Sequence, residues 1–165
     1  MKHLIQSNIY LLKQLSEVVT QLKDDDYALP LDIYSASSVG QHTRHILCFF
    51  DCLFQAYATG EVCFDNRQRK VTIEQNVQVA YHEIERIVTL LPTVKEDRGV
   101  KLLSIADGEE SVMDSSIARE LLYVQEHTVH HLAIIKMGVL HDFSYVKFPD
   151  DFGVAQSTID YQKQS

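Results

Sequence analysis

"RELLYVQEHTVHHLAIIKMG", residues 119–138, is the stretch on which the reading of this chain turns. Its residues Glu120, Val124, His127, His131, Ile134 and Gly138 follow one another at steps of three and four, so they form one stripe of a helix. Three histidines occupy five positions and are followed directly by Leu132, Ala133, Ile134 and Ile135. Imidazoles on such a helix are either surface groups or metal ligands inside a core. The periodicity predicts a helix from about Ser115 to Met137, with Gly138 as its stop.

Three more helical patterns precede it. Leu4, Ile5, Asn8, Leu11, Leu12, Leu15, Val18, Val19 and Leu22 predict a first helix over about 2–23. "KDDDYALPLDIY" breaks it, with Pro30 and charge marking a loop. A second helix starts at Ser37 or Ser38, where Ser38 and Gln41 make a capping-box pair, and stops at Gly60. One stripe of it carries His42, His45, Phe49, Cys52 and Ala56. The third helix is expected from Thr72 to Pro92, with Val79, Ile84, Ile87, Val88 and Leu91 on its core face. Between it and the last helix, residues 93–114 read as a short hairpin, "GVKLLSI" and "SVMD" around the turn "ADGEE". The tail beyond Gly138 reads as irregular but packed, through Phe143, Tyr145, Phe148, Phe152 and Val154.

No repeat, low-complexity tract or boundary divides residues 1–165, so a single domain is expected. The expected class is all-α: a four-helix bundle with a short hairpin-like insert before the last helix and an irregular C-terminal tail.

Charge and composition exclude several functions. The formal net charge is -8, and the densest basic run is "NRQRK" at 66–70. An acidic surface repels phosphate backbones and anionic lipid alike, so neither nucleic acid nor membrane is an expected partner. No apolar run approaches the ~20 residues that span a bilayer, and "MKHLIQSNIYLLKQL" has no signal-peptide block. Three cysteines, Cys48, Cys52 and Cys63, make no disulfide framework. A reducing, cytoplasmic location is the expectation.

The histidines carry the chemistry. His127 and His131 stand one turn apart on one face, a spacing that lets two imidazoles hold one metal ion. A third ligand must come from another helix, and the second offers His45, or His42 one turn earlier. Three neutral imidazoles leave an open coordination position, as catalytic zinc sites do, and they suit nickel, copper or iron as well. Glu120 shares the ligand stripe, either as an outer partner of the site or as a first-turn carboxylate of the helix. His130, i+4 from Glu126, belongs on the solvent side. "HTVHH" is not the zinc-protease H-E-x-x-H, because position 128 is Thr. A rival site would use His45, Cys48 and Cys52, at i, i+3 and i+7 of the second helix.

"SSVGQHTRHIL" and the opening stretch together resemble the DinB-like (YfiT-like) family of metalloenzymes, and the resemblance extends over most of the chain, including the tail "FGVAQST". It implies a four-helix bundle of up-down-down-up connection, with "EVCFDNRQRKV" in the long link between the second and third helices. It implies a triad of one histidine from the second helix and an H-x-x-x-H pair from the last. Here these are His45, with His42 as the alternate, and His127 with His131. It further implies a divalent metal, zinc or nickel, and a thiol-dependent S-transferase or isomerase reaction. That reaction would use a low-molecular-weight thiol such as bacillithiol, mycothiol or glutathione on a small-molecule substrate. A homodimer is compatible with the resemblance, although no stretch marks an interface. The second reading is a non-catalytic metal- or ligand-binding helical bundle, and an accessible cavity beside an open coordination position separates the two.

Overall fold

The computed structural model describes residues 1–162. Four long helices make its frame: α1 (Lys2–Val19), α3 (Val39–Thr59), α5 (Val77–Leu90) and α6 (Ile117–Asp142). α6 packs on α1 and α3, and α5 packs on the same two, so the four enclose a common core. The core is built from the stripes that the sequence carries. Leu12, Leu15, Val18 and Val19 come from α1, and Ile46, Leu47, Phe50 and Leu53 from α3. Ile84 and Ile87 come from α5, and Leu121, Val124, Leu132 and Ile135 from α6. Removing each such side chain from water is worth roughly 1.5–3 kcal/mol.

The all-α class is nevertheless overturned, because a three-stranded mixed sheet stands beside the helices. Strand β1 (Glu61–Cys63) runs parallel to β2 (Gly99–Ala106), and β2 pairs antiparallel with β3 (Glu109–Ser116). The β2–β3 hairpin falls where "GVKLLSI" and "SVMD" predict one, and it turns at Asp107 and Gly108, both at positive φ (53° and 80°). Two successive positive φ angles match the twist of the flanking strands. β1 has no strand-like run of its own. Gly60, at φ 86°, ends α3, and the next residues pair with a strand some forty positions later, with Val62 and Phe64 buried beneath.

Several boundaries also move. The "KDDDYALPLDIY" loop contains a short helix, α2 (Asp24–Ala28), and a 3-10 turn at Asp32–Tyr34. The expected third helix is two: α4 (Val71–Gln75) and α5, broken at Asn76. Asn76 is extended, its side-chain oxygen accepts from the Val79 amide, and its amide group donates to Asp24. That break turns Val79 to solvent and puts Val77 and Ala80 in the core.

Gly138 does not stop α6. A Cβ there would lie well inside 3.0 Å of the Tyr34 ring, so glycine is present to admit a neighbour. The tail makes a last short helix, α7 (Gln156–Gln162), and residues 163–165 of the expected irregular tail lie outside the described residues. The tail packs through Phe143, Val146 and Phe152, whereas Tyr145 is exposed. Gly153, at φ 70°, brings its backbone against Leu132 and Ala133 of α6.

Candidate metal centre

The α3–α6 contact positions the site. α3 begins with a complete capping box: the Gln41 amide donates to Ser38 Oγ (3.1 Å) and the Ser38 amide to Gln41 Oε1 (3.3 Å). Fixing that first turn fixes the direction in which His42 and His45 leave the helix. α6 presents His127 and His131 from successive turns.

His45, His127 and His131 come together, each offering a ring nitrogen, and those nitrogens lie within 4.8 Å of one another. His45 Nε2 is 2.8 Å from His127 Nε2. Two nitrogens bound to one tetrahedral zinc at ~2.0–2.1 Å stand about 3.3 Å apart. A small outward swing of the two rings therefore makes room for an ion. Among the described residues no fourth histidine, cysteine, aspartate or glutamate joins this donor group. The arrangement is that of a three-ligand site rather than a closed four-ligand one.

Electrostatics suit ligation. Burial holds His45 and His127 down at about 4 and His131 at about 3. The neighbouring imidazoles add to the effect at all three, and the positive charge of Arg67 adds to it at His45 and His127. All three rings are therefore neutral at physiological pH, which is the form a metal requires.

His42 is not in the donor group. Its Nδ1 lies 3.1 Å from Nδ1 of His131, and its Nε2 is buried without a hydrogen-bond partner. One of the two facing nitrogens must donate and the other accept. His131 has only Nε2 left for an ion, so its proton belongs on Nδ1 and is donated to His42. Tyr34 backs this pair, edge-on to His42 at 4.9 Å, with its hydroxyl donating to the Ile135 carbonyl at 2.7 Å. Tyr34, anchored to the α6 backbone, thus packs against His42, and His42 in turn meets His131.

On the opposite side the wall is aromatic. Phe49 stacks on His127 with ring centroids 4.0 Å apart, Phe64 stacks on Phe49 at 5.0 Å, and Tyr123 lies 5.9 Å from His127. Phe49 is four residues after His45 and Tyr123 four before His127, so helical spacing would have placed both beside the ligands. Tyr34, Phe64 and Arg67 carry no such signal. Two clefts lie nearby: Phe64 and Tyr123 line the smaller, and Arg67 of the larger sits 4.7 Å from the centre of the Phe49 ring. One of about 440 Å³ is lined by Cys48, Asp51, Cys52, Gln55, Arg67 and Lys70 among others, and one of about 210 Å³ by Phe64, Arg119 and Tyr123 among others. Neither is lined by a histidine of the triad, which meets solvent through its half-buried members His45 and His127.

The other candidates separate from the site. Glu120 is fully buried in the first turn of α6, where it accepts from the Ser115 hydroxyl and the Arg119 guanidinium, outside the donor group. Cys48 points its thiol at the Gln68 carbonyl, 3.5 Å away, and Cys48, Cys52 and His45 form no donor group, so the rival cysteine site is not assembled. His130 is exposed, as is Glu126, and no ion pair joins them.

No family model matches the chain, and no solved structure matches it. Over 110 residues it is 28% identical to FK506-binding protein 5 of Rhizopus delemar. That similarity covers 61% of this chain and 27% of the relative. The match thus spans about a quarter of the relative's length and does not fix a family.

Proposed function

We propose that this chain is a divalent-metal-dependent enzyme of the DinB-like kind, acting as a thiol S-transferase or isomerase with a low-molecular-weight thiol. His45, His127 and His131 would hold the metal, zinc or nickel. The observation that carries the reading is a convergent group of three histidines, from two helices, without a fourth protein donor among the described residues. A divalent ion held there would favour the deprotonated form of a thiol or water.

The chain's own residues supply the rest. His42 fixes the tautomer of His131 and holds its ring. Phe49, Phe64 and Tyr123 keep one side of the site apolar, which strengthens the electrostatics within it. A non-catalytic metal-binding bundle would use the same three donors, and it is told apart by metal-loaded protein that shows no chelator-sensitive thiol transfer. A cytoplasmic location belongs to the same reading. It is supported by three free cysteines and by the lack of any helix, among the described residues, long and apolar enough to cross a membrane.

The test is elemental analysis of the purified chain, followed by thiol-transfer assays with and without chelator. About one divalent metal per chain is expected, lost in His131→Ala, with chelator-sensitive activity. Full metal content in each of His45→Ala, His127→Ala and His131→Ala refutes the triad.

A further inference from the structure

Cys48 and Cys52 stand one turn apart on α3, and both line the cleft of about 440 Å³ beside the link from β1 to α4. Both thiols are free. Residues four apart on a helix hold their Cβ atoms roughly 5–6 Å from one another. Two sulfurs on one ion, each at roughly 2.3 Å, stand at most about 4.6 Å apart. The pair therefore spans an ion once the two Cβ–Sγ bonds lean toward each other. The link closes on the pair, since the Cys48 thiol donates to the Gln68 carbonyl at 3.5 Å.

The charge around these sulfurs is unlike that of the chain, whose formal net charge is -8. Burial pushes both thiols up, Cys52 to about 11. Arg44, Arg67 and Lys70 oppose the shift at Cys48, and Arg67 opposes it at Cys52, while Asp51 and the neighbouring thiols reinforce it. Two of these cations are already paired. Lys70 is bound by Asp51 and Glu83, each at 2.7 Å, and Arg44 by Glu74 at 2.9 Å. Arg67 is half-buried with its guanidinium 4.7 Å from the centre of the Phe49 ring, and it has no carboxylate or hydrogen-bond partner among the described residues. The cleft thus holds one uncompensated positive charge and two sulfurs that ionise only when something replaces their protons.

We propose that Cys48 and Cys52 bind a copper(I) ion between their sulfurs, with Arg67 neutralising the complex. The ion replaces the two S–H protons, which leave to solvent. The resulting bis-thiolate carries one negative charge, the charge that Arg67 lacks a partner for. Nothing is oxidised or reduced. Thiolates suit both zinc and copper(I). Zinc asks for at least three protein donors, and among the described residues no group of three includes either cysteine. Copper(I), with a filled d shell, is satisfied by two sulfurs. Cys63 stands apart from the pair and lines a neighbouring cleft of about 310 Å³, which Cys52 also borders. The site is separate from the histidine triad and does not depend on it.

The experiment titrates the full chain with copper(I) under anaerobic conditions, with excess zinc present to occupy the histidines. Affinity is read by competition with a chromogenic copper(I) chelator. One ion per chain is expected, and its affinity should rise about a hundredfold per pH unit, because two protons leave. Cys48→Ala and Cys52→Ala should each weaken binding about a hundredfold or more, whereas Cys63→Ala and His45→Ala should leave it unchanged. Arg67→Gln should weaken it about tenfold at the same stoichiometry. In the wild type, where no variant has to fold, copper(I) should slow alkylation of Cys52 but not of Cys63, read by peptide mass mapping. A wild type that takes up no copper(I) overturns the proposal, as does uptake that survives both Cys48→Ala and Cys52→Ala. Uptake lost in His45→Ala, or protection of Cys63 in place of Cys52, overturns it as well.

Discussion

Replacing Gly138 with alanine tests whether the back of the site is built as described. In the middle of an ordinary exposed helix the change would stabilise by about 1 kcal/mol, because alanine restricts the unfolded chain. Here the new methyl would collide with the Tyr34 ring from Cε1 to the hydroxyl. Tyr34 is buried, so its ring can yield only by disturbing its neighbours. Forcing a methyl into packed space costs roughly 1–3 kcal/mol. Displacing the Tyr34 hydroxyl from the Ile135 carbonyl costs about 1 kcal/mol more. The helix-propensity gain offsets only the last of these, leaving a net loss of roughly 1–3 kcal/mol. For a chain of this length that lowers Tm by roughly 2–12 °C. The assay is thermal unfolding of Gly138→Ala, Tyr34→Ala and the double variant. With the ring absent, alanine at 138 should become neutral or stabilising by up to about 1 kcal/mol. A rise in Tm for Gly138→Ala alone would refute the argument, since it would mean that Tyr34 does not fill that space.

Three further outcomes are expected. His42→Phe should weaken zinc affinity about 10- to 100-fold while leaving the stoichiometry reachable at high zinc, and His42→Gln, which keeps an acceptor, should recover part of the loss; both are read by competition with a chromogenic chelator. In chelator-treated protein, His45, His127 and His131 titrate below their ordinary value of 6.5, at about 4, 4 and 3. Unfolded chains then take up protons that the folded site refuses, so stability should be flat above pH 6.5 from these groups and fall as the pH drops from 6.5 toward 4. A Tm unchanged between pH 7 and pH 5 would contradict this. Ser38→Ala should cost about 1 kcal/mol by removing the α3 cap, measured by urea denaturation, with a smaller loss for Ser38→Gly.

By itself the sequence determined the four long helices in outline and the candidate ligands. The i, i+4 spacing of His127 and His131 put them on one face, and Ser38, Gln41 and Gly60 marked the ends of α3, because caps and helical periodicity are local chemistry written in neighbouring residues. The hairpin was legible for the same reason, since Asp107 and Gly108 accept the positive φ angles of a tight turn. What the sequence could not fix depended on partners far along the chain. β1 exists only because β2 lies beside it, and that pairing overturned the all-α class. Asn76 breaks a helix because Asp24 meets it, and Gly138 continues one because Tyr34 needs the space. The choice of His45 over His42 for the donor group, and the unpaired state of Arg67 over Phe49, were likewise decided where α3, α6 and the intervening link meet. Backbone periodicity says which face a side chain takes; only tertiary packing says what waits for it there.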